Sequence, residues 1–274
     1  MRLSFYTYSY TERLDLPIAP CVKRIAETGY SGFDLSATYG ASDDPRSFDA
    51  ERRRLTLSEA RRNNLRIEAI ITHANLTDTL ADPSRPTLDL AASVDMAAEM
   101  DADIVTFHMG GYPDQVDNNN LWGQVVDTIR SEAEYAASKD VRLAVDGIWP
   151  PWINSSPEKL TRLFDDVGLP QFGVNLDPSY LTLMGVDPVG FIERFANRIV
   201  HGHLKDHTGT YPDWTHQIPG AGDMDYSAVF AALKKNGFSG SVAVECFIDM
   251  PFVRACDDAY TTLTQAAAKA GIKM

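Results

Sequence analysis

The chain of 274 residues carries 25 basic against 38 acidic side chains, a formal charge of −13. That balance favours solubility and argues against a surface built to grip nucleic acid, while leaving room for a small basic site. No apolar run approaches membrane-spanning length, and the opening Met1-Arg2-Leu3-Ser4-Phe5-Tyr6 has a strand pattern rather than that of a signal peptide. Cys21, Cys246 and Cys256 show no metal-ligand spacing and are expected to be reduced, as in a cytoplasmic protein.

In chain order, strand-like apolar runs alternate with helix-period segments. Strands are predicted near 2–7, 31–35, 66–72, 103–108, 141–146, 171–177, 198–204 and 241–246. Helices are predicted near 17–28, 49–63, 88–100, 121–138, 157–167, 188–196, 225–236 and 252–270. Gly29, Gly168 and Gly237 fall just past helices, where a left-handed cap is wanted. Pro17, Pro157 and Pro188 sit near helix starts, where a missing N–H costs nothing. Eight strand–helix pairs without a composition break predict an α/β fold, one (β/α)8 barrel forming a single domain over residues 1–274. The competitor is an open doubly wound sheet. No G-x-G-x-x-G follows the first strand, which counts against a dinucleotide fold.

Four of the six histidines crowd into Arg198–Tyr226, at the end of the seventh strand and in the loop after it. A barrel carries its site at the carboxyl ends of its strands. Alternation along each strand then tells which side chains turn inward. In Ser241-Val242-Ala243-Val244-Glu245 the valines suit the helix-covered outside, so Glu245 points into the mouth. The same parity turns Asp146, Asp177, His203 and His108 inward, and His73 ends the third strand. Taken singly, either aspartate reads as a helix cap, Glu245 as an ion-pair partner and His203 as a core histidine. Together, Asp146, Asp177, His203 and Glu245 put three carboxylates into one mouth, where they repel unless a cation compensates them. Oxygen-rich ligation with one imidazole suits a single divalent metal ion, Mn²⁺ first, with Mg²⁺, Co²⁺ and Zn²⁺ as alternatives.

The motifs Asn175-Leu176-Asp177-Pro178-Ser179, His203-Leu204-Lys205-Asp206 and Gly220-Ala221-Gly222-Asp223-Met224-Asp225, with Gly237 to Glu245, resemble the xylose-isomerase-like TIM-barrel superfamily, and within it the sugar phosphate isomerase/epimerase branch. Ile71 to Leu76 and Val105 to Gly111 extend the likeness over nearly the whole chain. The resemblance implies a divalent metal held by Asp146, Asp177, His203 and Glu245. Two positions depart from the pattern. Asp146 stands where Glu is usual, which shortens its reach and puts its part as a proton-transfer base in doubt. Tyr180 stands where the family often has His.

The resemblance also implies the chemistry. The metal binds a carbonyl and a neighbouring hydroxyl of a ketose or keto-sugar derivative, and Glu245 and Asp146 remove and return the proton between them. Lys205, His108 and His216 are expected to donate hydrogen bonds to substrate oxygens, with His73 and Tyr180 beside them. His201 lies a layer deeper and reads as structural. Trp149 and Trp152, in the turn after the fifth strand, are placed to stack on a sugar face or an aromatic aglycone, or to cover the barrel rim. Residues Tyr211–Trp214 read as a lid. Without a Gly-rich cradle or Arg pair near the last two strands, an unphosphorylated carbohydrate is expected. The alternative reaction is a lyase, a dehydratase or C-glycoside-cleaving enzyme, in which the same proton abstraction expels a β-substituent and His207 or His216 serves as general acid. A metal-dependent apurinic/apyrimidinic endonuclease is a further alternative, weakened by Tyr180 and by the acidic chain, so a nucleic-acid partner is not expected. Nor is a membrane partner. A homo-oligomer is compatible with the reading.

Overall fold

The computed structural model describes residues 1–11, 17–38, 44–84, 88–111, 118–245 and 247–274. Its strands are β1 (Arg2–Tyr6), β2 (Gly32–Ser36), β3 (Arg66–Asn75), β4 (Ile104–His108), β5 (Arg142–Asp146), β6 (Gly173–Leu176), β7 (Ile199–Leu204), β8 (Asp206–Thr210), β9 (Asp213–Gln217) and β10 (Ser241–Val244). Eight of them, all parallel, close into a barrel in the order β1-β10-β7-β6-β5-β4-β3-β2. The remaining two, β8 and β9, form a separate antiparallel hairpin. The expected (β/α)8 barrel is therefore the architecture observed.

The helices that cross over between barrel strands are α2 (Ile18–Thr28), α3 (Ala50–Arg62), α5 (Leu90–Glu99), α6 (Asn118–Ser138), α7 (Pro157–Val167), α9 (Pro188–Phe195) and α10 (Tyr226–Lys235), and α11 (Phe252–Lys269) follows the last strand. Three short helices, α1 (Tyr8–Thr11), α4 (Leu76–Ala81) and α8 (Pro178–Leu183), follow β1, β3 and β6 directly at the mouth. They were not expected, because a run of four to six residues carries no helical period to read. The local rules are visible in α7. Ser156 caps it by accepting from the Lys159 amide, Pro157 occupies its first turn, and Gly168 ends it at φ 73°. Leu160, Leu163, Phe164 and Val167 recur at helical spacing and are buried against the barrel, each worth about 1.5–3 kcal/mol of transfer free energy.

Side-chain alternation in β5 and β10 agrees with the predicted parity, whereas in β7 a register shift beside Val200 turns that valine inward as well as His201 and His203. Leu143, Val145, Val242 and Val244 belong to the large core between barrel and helices. Ala144 and Ala243 belong instead to a small cluster inside the barrel, with Tyr6, Ala69, Ile71, Ile104 and Val200. The small alanines leave room in the layer beneath Asp146 and Glu245. The last strand pairs only to Val244, but the Glu245 amide still donates to the Leu204 carbonyl at 3.0 Å, so its direction carries on. Cys246, which the sequence places on that strand, lies outside the described residues, and Cys21 and Cys256 are buried. No described helix is long and apolar enough to cross a membrane.

Candidate metal and catalytic site at the barrel mouth

The carboxyl ends of β5, β6, β7 and β10 bring Asp146, Asp177, His203 and Glu245 to one mouth, all four buried. Register explains the neighbours: Asp146 lies opposite Asn175, and Ala243 lies opposite His203. Asp177 does two jobs, since its Oδ1 accepts from the Tyr180 amide at 3.1 Å and so caps α8. The cap reading of that residue is realised through Oδ1, which leaves Oδ2 to face Lys205.

The charges are paired off by donors from the chain itself. Lys205, itself buried, sets its ammonium between Asp177 Oδ2 at 2.5 Å and Glu245 Oε2. Asp146 accepts from Asn175 Nδ2 at 2.9 Å on one oxygen and lies 3.0 Å from His108 Nε2 on the other. Asn175 Nδ2 also meets His203 Nδ1 at 3.1 Å, and that nitrogen lies 3.6 Å from Glu245 Oε2. Burial opposes ionisation of every acid here. At Glu245 the Lys205 charge outweighs it and holds the carboxyl down to about 2. One ammonium between two carboxylates does not hold both down, and Asp177 is pushed up by burial, with the charge of Glu245 adding to it. Lys205 is desolvated too, yet its two acidic partners raise it well above an ordinary lysine. Asp146 is held low against its burial, chiefly by His108.

The other expected residues surround this set. His73 Nε2 lies 2.6 Å from the Tyr6 hydroxyl, and burial, with His108 nearby, pulls its pKa down to about 3. His108 also packs against Trp152, ring centroids 5.0 Å apart. Trp149 packs at a tilt against Tyr180, ring centroids 4.2 Å apart, and Lys205 Nζ sits 3.9 Å from the centre of the Tyr180 ring. The stretch read as a lid loop is the β8–β9 hairpin, which brings Tyr211 and Trp214 edge-on to Trp149. His216, on the hairpin, packs between Trp214 and Phe247, and burial lowers its pKa to about 4. Without ligand, Lys205 is engaged by the acids. His207, offered as a general acid, is buried and bonded through Nδ1 to Ser179 Oγ at 2.9 Å.

Asp206 organises the loop behind the hairpin by accepting from the amides of His207, Gly220 and Met224. Gly222 is required there, because a Cβ would run into the His207 carbonyl and the Asp206 carboxylate.

One layer deeper, His201 Nε2 lies 2.8 Å from Asp34 Oδ2 and its Nδ1 2.9 Å from Ser241 Oγ. Asp34, His201 and His203 each offer a ligand atom within 4.8 Å of the others, a spacing a metal ion can bridge. Asp34 was missed in the sequence. Its signal was a lone acid at an alternating position in Gly32-Phe33-Asp34-Leu35-Ser36. Asn175 was missed too, since an amide in a strand has no charge to flag it. The donor chemistry at the mouth, three carboxylates and one imidazole with internal cations and amides drawn to them, fits a divalent ion.

The barrel, with ionisable groups converging at its carboxyl end, defines the class of (β/α)8 proteins that hold a polar site among their strand ends. Within that class the chain belongs to the xylose isomerase-like TIM barrel family, which it matches over residues 22–271. An inosose dehydratase of Lacticaseibacillus casei is 26% identical over 106 residues, covering 33% of this chain and 32% of the relative. Across the first curated relatives, the matched stretch is about half of the relative's length or less. A solved IOLI protein with a bound zinc atom superposes with TM-score 0.80 at 16% identity, covering 98% of this chain and 99% of its own. D-psicose 3-epimerase with D-tagatose, from Clostridium cellulolyticum H10, gives 0.78 at 14% identity, covering 97% and 99%. At these identities the structural likeness speaks for the fold.

Two outcomes follow from the electrostatics. Lys205→Met leaves Asp177 and Glu245 facing each other without a counter-charge. In chelator at neutral pH it should lose about 3–5 kcal/mol in urea unfolding, and a divalent cation should restore part of that loss. The second concerns acid. His73 and His216 titrate ordinarily near 6.5 but near 3 and 4 in the fold. Below pH 6.5 the unfolded chain takes up protons that the folded chain refuses, so stability falls as pH drops through that window. The slope is up to about 1.4 kcal/mol per pH unit for each proton. Denaturant titrations of the metal-free protein between pH 7 and 4 should show it, and His73→Gln should reduce the slope, leaving the part due to His216.

Proposed function

We propose that this chain is a divalent-metal-dependent isomerase or epimerase acting on an unphosphorylated ketose or keto-sugar derivative, with residues 1–274 serving as one domain. The observation that supports it best is the convergence of Asp146, Asp177, His203 and Glu245 on one buried mouth. These four would hold the ion, Mn²⁺ in this reading. Such an ion supplies polarisation of a carbonyl, lowering the pKa of the C–H beside it.

The chain's own groups do the rest. Glu245 takes the proton from that carbon. In the resting arrangement Lys205 keeps it a weak base. When Lys205 turns its hydrogen bonds to a substrate oxygen, Glu245 loses its counter-charge and gains basicity. Asp146, on β5 three strands round the barrel from β10 and shorter by one methylene, returns the proton or holds a substrate hydroxyl. His108 and Lys205 stabilise negative charge developing on oxygen. Trp149 and Tyr180 offer apolar faces against which a sugar ring excludes water.

A lyase reading is favoured by the match to inosose dehydratase. It needs the same abstraction, then a general acid for the leaving group. His216 is the candidate for that acid, since His207 is buried and engaged.

Metal-loaded protein in D₂O with a panel of free ketoses and 3-keto-glycosides should give a deuterated epimer or isomer, read by NMR. Loss of water or of an aglycone would replace isomerisation with elimination. Glu245→Gln should lower turnover by at least about a hundredfold, the low end of what a positioned general base contributes, while keeping the fold. Near-normal turnover would remove Glu245 from the mechanism.

A further inference from the structure

The His203 ring is gripped from four directions by groups that no expected role accounts for. Its face lies parallel to Tyr6, ring centroids 5.6 Å apart and planes 6° apart. His201 stands edge-on to it at 5.5 Å. Its Nδ1 meets Asn175 Nδ2 at 3.1 Å and lies 3.6 Å from Glu245 Oε2, an oxygen already taken by the Lys205 ammonium. Its Nε2 is buried, has no hydrogen-bond partner, and faces Asp34 Oδ2 at 4.0 Å.

These contacts decide where the ring proton sits. The same Asn175 nitrogen donates to Asp146 Oδ1 at 2.9 Å. Turning the amide over would put its oxygen against that carboxylate oxygen, so the nitrogen stays on this side. An amide nitrogen only donates, and the ring nitrogen it meets must therefore accept. A neutral imidazole has one N–H and one lone pair. With the lone pair on Nδ1, the N–H falls to Nε2, where the Asp34 carboxylate faces it. Asp34 is held in turn by His201 Nε2 at 2.8 Å and by Ser4 Oγ at 3.5 Å.

We propose that Asn175 and Asp34 are positioning residues that hold His203 as its Nε2–H tautomer, with the Nδ1 lone pair presented to the acids of the mouth. Asn175 guards the lone pair on one edge and Asp34 attracts the N–H on the other. A divalent ion arriving at the mouth meets a nitrogen already unprotonated and already aimed, so binding needs no tautomer exchange. The Asp146 bond keeps Asn175 in place when its contact to Nδ1 is given up. The tautomer itself does not depend on the enzymatic reading above. Only its consequence for cation affinity rests on that reading.

The test uses uniformly ¹⁵N-labelled, chelator-treated protein and long-range ¹H–¹⁵N spectra of the histidine rings, with His203 assigned by the signals lost in His203→Gln. Wild type should show His203 protonated at Nε2 alone. Asn175→Leu, similar in size but unable to donate, should show both tautomers in exchange and bind Mn²⁺ about 10–100-fold more weakly by calorimetry. Asp34→Asn removes the charge that attracts the N–H, so it should bring part of the Nδ1–H tautomer into exchange and lose about tenfold in affinity. A wild-type ring protonated at Nδ1 would overturn the proposal, as would an Asn175→Leu protein keeping both the ring signals and the affinity of wild type. The wild-type spectrum decides the tautomer even if neither variant folds. If wild type binds no Mn²⁺, the metal reading fails and the tautomer is still decided.

Discussion

Everything at the mouth follows from the difficulty of burying three carboxylates together. Asp146, Asp177 and Glu245 sit among strand ends where water does not reach them freely, and their mutual repulsion in that medium is strong. The chain answers with its own donors. Lys205 bridges two of the acids, and His108 and Asn175 divide the third. A buried ammonium with two carboxylates is stable only while all three remain, because removing one partner leaves an uncompensated charge. Lys205 is thus the counter-charge on which both Asp177 and Glu245 depend.

Beneath this layer the barrel carries a second polar tier, where Asp34, His201 and Ser241 satisfy one another in full burial. Polar groups so deep are tolerated only when bonded. Their position couples floor to mouth, since Asp34 faces both His201 and the orphan nitrogen of His203. Further down still, Glu68 is tied to Arg2 by a two-pronged ion pair, each contact 2.7 Å. The barrel interior is thus a column of charge and hydrogen bonding threaded through a thin apolar cluster.

Above the mouth, the β8–β9 hairpin supplies the contrast. Its Tyr211 is 47% exposed, while Trp214 and His216 turn inward to Trp149 and Phe247. Together with Tyr180, which takes the Lys205 ammonium on its face, they make an aromatic collar around a charged centre. Such a surround excludes water and strengthens every electrostatic contact within it.

The sequence alone determined the order of strands and crossover helices, the caps that bound α7, and which side chains turn inward at the mouth. Those properties are local: a period of two or of 3.6, a proline or a glycine, is read within a few residues. The hairpin escaped because Asp206–Gln217 mixes polar, aromatic and glycine residues without alternation. Only the tertiary structure decided the partners. Asp34 and His201 are 167 positions apart, and nothing in either segment names the other. Closure of the barrel and the register of its strands place Asn175 between Asp146 and His203 and Lys205 between Asp177 and Glu245. A side chain's direction is written in its strand, whereas what it meets there is set by strands that arrive from elsewhere in the chain.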